Sequence, residues 1–128
     1  MVTEKEQIIK SRIGQSAFKK ALLTVEKRCR LCGVSDERFL VASHIKPWSQ
    51  SSNHERMDVN NGLLLCPNHD ALFDKGYISF ESDGTILISD SLDEETKVFL
   101  NINETMNIVL NEEQQKYMRW HQKNIFKV

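Results

Sequence analysis

Apolar positions recur at near-helical spacing over residues 4–27, where Ile8, Ile9, Ile13, Phe18, Leu22 and Val25 punctuate a charged and polar background. The pattern predicts a helical N-terminal flank, continuous or divided in two at Gly14. A Cys-Arg-Leu-Cys-Gly turn follows, and residues 38–45 then gather extended-favouring apolar residues, with Pro47 disfavouring helix at Lys46. That predicts a strand. Trp48 to Asp58 is polar and Ser-rich and reads as a surface loop, after which Leu63–Leu65 make a second strand. Pro67 suits the first turn of a short helix, Ala71, Leu72 and Phe73 supply its contacts, and Gly76 can end it in a left-handed cap. Tyr77–Phe80 and Thr85–Ser89 flank Asp83-Gly84, a hairpin signal. A last helix is expected over 112–124, with Asn111 as its N-cap.

Strand, loop, strand and short helix, with helical flanks and an extra hairpin, give an α+β fold. With 128 residues and 14.9 kDa, one domain over 1–128 is expected. Its core lies at about 29–80, its helical flank at 4–27, and its C-terminal hairpin and helices at 77–128. Hydrophobic residues at 40% and charged residues at 27% exclude wholesale disorder. The apolar runs fall far short of the ~20 residues of a membrane span, and repeated charges replace an export signal near the start. A cytoplasmic chain without a membrane partner is expected. The net charge of −1 hides an asymmetry: residues 1–60 hold eleven Lys/Arg against seven Asp/Glu, and residues 61–128 hold six against eleven. A weakly basic front half suits phosphates, although solvated helices give a similar bias.

The three cysteines cannot form a closed disulfide set. Cys29 and Cys32 form one CxxC pair, and Cys66 and His69 form a CxxH pair after 33 intervening residues. Free cysteines are often buried simply as small hydrophobes. Here all three fall into one four-ligand set beside turn-forming Gly and Pro, so a structural Zn²⁺ on Cys29, Cys32, Cys66 and His69 is predicted.

The run CRLCG, then SHIKPW, then ERMDVNNGLLLCPNHDALFDKGYISF resembles the HNH endonuclease family, in particular its bacterial restriction-like subgroup with an SHIxPW segment and an NGLLL strand. The flanks RIGQSAF and YMRWHQKNIFK are similar to segments that accompany this domain, so the resemblance spans nearly the whole chain. It implies a ββα-metal core around one catalytic divalent ion, with the structural zinc beside it. His44 matches the first family histidine and Asn61 the asparagine. Asp70 takes the place of the last histidine, next to the zinc ligand His69. Where many members carry an aspartate before the first histidine, this chain has Ser43, a weak ligand for a hard cation.

The implied activity is metal-dependent hydrolysis of DNA phosphodiester bonds, in restriction or defence against foreign DNA. His44 would take a proton from the attacking water, since imidazole titrates near neutral pH. Asp70 would hold Mg²⁺ or Mn²⁺, which favour carboxylate oxygen. Asn61 would either hold the loop that positions His44 or offer its carbonyl to the metal. Asp74 extends the metal shell or ties down the helix end. DNA would be met mainly through phosphates, with Lys46, Arg56 and Lys75 as candidates. His54 and His121 are assigned to solvent, and Trp48 and Trp120 to core or lid. A single site cuts one strand, so a homodimer or a larger restriction-like protein is the expected partner arrangement. The rival is a zinc-stabilised nucleic-acid-binding or protein-interaction module without catalysis, motivated by Ser43 and the low net charge.

Overall fold

The computed structural model describes residues 2–128. Helix α1 (Glu4–Leu23) runs unbroken through Gly14, and Thr3 and Glu6 form a reciprocal capping box at its start. Gly14 serves close approach instead of bending the helix: a Cβ there would lie 2.5 Å from the Trp48 ring. Only Phe18 and Leu22 of α1 are buried, and residues 2–10 are exposed.

Strand β1 (Val41–His44) pairs antiparallel with β2 (Gly62–Leu65), in a register that sets Ser43 opposite Leu63 and His44 opposite Gly62. The expected surface loop between them contains a helix, α2 (Asn53–Met57), with a Ser52–Glu55 capping box. The S-x-x-E pattern signalled it. A 3₁₀ turn over Val59–Asn61 leads into β2, which is buried along its whole length. Helix α3 (Pro67–Asp74) has Pro in its first turn and is followed by Gly76 at φ +82°, as its sequence predicts. Both α1 and α3 pack on the β1–β2 pair.

A second antiparallel pair, β3 (Ile78–Phe80) with β4 (Ile86–Ile88), turns at Gly84. A Cβ on Gly84 would sit 1.7 Å from the Ile108 carbonyl oxygen, so the chain's later segment closes over this turn. Helix α4 (Glu94–Phe99) and helix α5 (Glu112–Asn124) complete the fold, and α5 packs on β3 and on the 59–61 turn.

His121, expected in solvent, is 1% exposed. Its Nε2 lies 2.9 Å from the Phe73 carbonyl and its Nδ1 2.7 Å from Ser79 Oγ, and its ring stacks on Phe73 at 3.9 Å. The pattern of α5 shows a histidine among charged residues, and only its docking on α3 and β3 makes that position internal. No helix is long and apolar enough to cross a membrane among the described residues.

Candidate active site and metal centre

The turn after α1 brings Cys29 and Cys32 toward the start of α3, where Cys66 is the N-cap and His69 sits in the first turn. Gly33, at φ +81°, lets that turn close, with its N–H donating to the Cys29 carbonyl at 3.0 Å. The three sulfur atoms and a His69 nitrogen all lie within 4.8 Å of one another. Tetrahedral zinc with Zn–S of about 2.3 Å needs sulfurs roughly 3.8 Å apart, so a small adjustment closes the shell, and the soft donor set suits this ion.

His69 Nδ1 faces Cys29 Sγ at 3.6 Å, while Nε2 donates to the Leu100 and Asn101 carbonyls at 3.0 and 3.1 Å. The turn after α4 thus fixes the His69 ring and leaves Nδ1 facing the sulfurs, as a metal ligand there would need. Asn101 adopts φ 55°, which asparagine tolerates at a helix end. Sequence reading assigned nothing to this turn. Burial pushes the Cys29 thiol up, but the His69 hydrogen bond and nearby backbone amides outweigh it and bring it down to about 6. Burial and the Cys29 charge push Cys32 up to about 11. A bound cation would offset the rise at Cys32 by favouring its thiolate.

His44 is half-buried at the end of β1. Its ring stacks on Phe18 of α1 at 3.8 Å and meets Trp48 edge-on at 5.6 Å. Gly62, directly across the ladder, makes room for this: a Cβ there would fall 2.6 Å from the Phe18 ring. His44 Nε2 lies 2.9 Å from the Arg56 carbonyl oxygen. A carbonyl only accepts, so Nε2 carries the hydrogen and the lone pair is left on Nδ1. Burial above all, with the Arg56 charge, lowers the imidazole's pKa against the opposing pull of that carbonyl.

Asn61 is fully buried. Its Oδ1 accepts from the Lys46 amide at 2.8 Å, and its Nδ2 donates to the carbonyls of Lys46 and Glu55 at 3.2 and 3.1 Å. Both ends of the amide are spent on the 46–55 segment. Of the two expected roles, these bonds suit the one that holds the loop.

Ser43 and His44 are successive residues of an extended strand, so their side chains leave opposite faces. Ser43 Oγ donates to Asp70 Oδ1 at 2.5 Å, across from the face on which His44 meets Phe18. Burial raises the Asp70 carboxyl, Ser43 opposes this, and the charge of Asp74, one helical turn on, raises it further. Among the described residues no second cluster of three or more metal-ligating side chains forms around Asp70. One half-buried carboxylate, a hydroxyl and an adjacent exposed carboxylate still fit a hard cation that keeps several waters.

The three phosphate candidates separate. Lys46 is committed, paired with Glu55 at 3.0 Å and lying 5.4 Å from the Trp120 ring centre. Arg56 lies over the Trp48 ring at 4.6 Å and donates from Nε to the Trp48 carbonyl at 2.9 Å. Lys75 is exposed at the end of α3. His54 is exposed, as expected.

Residues 29–81 match the family described as HNH endonuclease. No curated protein matches the chain. Among solved structures, a "Modification dependent TagI restriction endonuclease" is similar at 25% identity and a TM-score of 0.49, over 77% of this chain and 34% of that one. The chain spans about a third of that enzyme's length.

Proposed function

We propose that this chain is a divalent-metal-dependent endonuclease acting on DNA phosphodiester bonds, because its residues 29–81 match the HNH endonuclease family. One observation carries the reading: burial favours the neutral form of His44, with Nε2–H fixed on the Arg56 carbonyl and its Nδ1 lone pair unused, on a ββα frame whose opposite face carries Asp70. His44 Nδ1 accepts the proton of the attacking water as the new P–O bond forms and the bond to the departing sugar oxygen breaks. Asp70, steadied by Ser43, would hold Mg²⁺ or Mn²⁺, which when bound offsets charge on the phosphate and on the leaving oxygen. Asn61 acts through the loop, keeping the Arg56 carbonyl in place under His44. The likeness of the flanking segments supports a role in restriction of foreign DNA, with a second copy or a larger protein completing double-strand cleavage.

The Ser43–Asp70 hydrogen bond favours one rival, a zinc-stabilised binding module, because it occupies a carboxylate oxygen where a cation would bind. Nicking of supercoiled plasmid separates the two. The wild type is expected to nick with Mg²⁺ or Mn²⁺, and His44→Ala to lose about 10²–10⁴-fold in rate with zinc content and folding intact. Asp70→Ala is expected to raise the metal concentration needed for half-maximal nicking. Absence of nicking with Mg²⁺, Mn²⁺, Co²⁺ and Ni²⁺, or an undiminished His44→Ala, overturns the nuclease in favour of the binding module.

A further inference from the structure

Between α1 and the segment 48–57 lies a groove of about 1160 Å³. None of its lining residues belongs to the Cys₃His cluster or to the Ser43–Asp70 pair. Its cationic walls are Lys10 and Arg12 from α1 and Arg56 from the opposite side, and the lining contains one carboxylate, Glu4. Among the described residues none of these three cations forms an ion pair, in contrast to Lys46. Arg56 is anchored by its stack on Trp48 and by its Nε bond, and its two terminal nitrogens have no hydrogen-bond partner among the described residues. The same two residues, Trp48 and Arg56, contact His44. In a chain whose net charge is −1, a groove with a local excess of two positive charges is therefore separated from the proposed general base, which is not in its lining, only by residues that touch both.

We infer that this groove is the track for the DNA strand, with Lys10, Arg12 and Arg56 gripping successive phosphates and leading the backbone to His44. The inference rests on the endonuclease reading and adds where the substrate lies. It also gives a use to the first half of α1, which extends past the core with residues 2–10 exposed. Backbone phosphates are the ligand that unpaired, spaced cations recognise without reading bases, and such binding releases counterions from the nucleic acid. The Trp48 ring, covered by Arg56 and abutted by Gly14, is a support for the arginine and not a stacking platform for a base.

The test is fluorescence anisotropy of a short labelled duplex with the zinc-loaded chain, without added Mg²⁺ or Mn²⁺, across a series of salt concentrations. It compares the wild type with Lys10→Ala/Arg12→Ala. Both substitutions are on exposed turns of α1, where alanine favours helix, so folding is preserved. Lys116→Ala/Lys123→Ala on α5 makes the same change of charge away from the groove. The groove variant is expected to bind about tenfold more weakly per lost contact near 0.1 M salt, with the slope of log K against log salt reduced by about 2. The α5 variant should keep the wild-type slope. Equal weakening in both variants overturns the inference, since total charge would then explain it. A groove variant that binds like a nicking wild type overturns the groove alone and leaves the nuclease standing. A wild type that neither binds nor nicks overturns the nuclease reading and the groove with it.

Discussion

Single side chains divide the labour at the site by where their hydrogen bonds go. His44 gives one ring nitrogen to the protein, whereas Asn61 spends both ends of its amide on it. That difference makes Asn61 sensitive to an exchange that preserves its shape. Asn61→Asp replaces the donating Nδ2 with an oxygen facing the Lys46 and Glu55 carbonyls, all acceptors, in a fully buried site. Losing the bonds and burying repulsive oxygens should cost about 1–3 kcal/mol or more. Thermal unfolding reads this directly. Nicking should fall as well, because the segment carrying the Arg56 carbonyl loosens, and zinc content should not change.

At the scale of elements, α5 is the piece whose docking the titration of one residue reports. His121 of α5 bridges α3 and β3, donating from Nε2 to the Phe73 carbonyl and accepting at Nδ1 from the Ser79 hydroxyl. Burial lowers its pKa to about 4, against the opposing Phe73 hydrogen bond. The unfolded chain, with an ordinary imidazole near 6.5, therefore binds more protons than the folded one between pH 6.5 and 4. This contribution is complete above pH 6.5 and is lost as pH falls, by about 1.4 kcal/mol per pH unit and on the order of 3 kcal/mol in all. His121→Gln keeps a buried polar side chain without the titration. Denaturant unfolding from pH 7 to 4 should show a shallower loss of stability in this variant than in the wild type. Identical slopes would mean that α5 yields a hydrated path to the ring before the protein unfolds.

For the molecule as a whole, the Cys₃His cluster is where distant segments are held together. It joins the turn after α1 to the start of α3, and through His69 it reaches the end of α4. The protein purified without added zinc is expected to contain about one Zn²⁺ per chain, and chelation should cost cooperative folding. Cys32→Ser should lower the unfolding midpoint strongly, because it opens a closed shell. Metal analysis and circular dichroism before and after a strong chelator check both. A folded, metal-free chain with an unchanged melting curve would assign these residues to plain core packing.

The amino-acid pattern by itself determined the order of the elements that rest on local rules, though not the short helices α2 and α4. Pro67 and Gly76 bound α3, Asp83-Gly84 turns the second hairpin, and Asn111 starts α5. The paired ligands were legible for the same reason, since a two-residue gap is a property of one turn. Tertiary packing alone decided the rest. The tautomer of His44 depends on a carbonyl 12 residues away, and the orientation of His69 on carbonyls 31 and 32 residues away. The burial of His121 comes from partners 42 and 48 residues away. Gly62 reads as a turn residue in an Asn-Asn-Gly run, yet what requires it is the Phe18 ring beneath His44. Periodicity registers which face of an element is apolar, but the bonds that set a proton's position join groups whose separation in the chain follows no period.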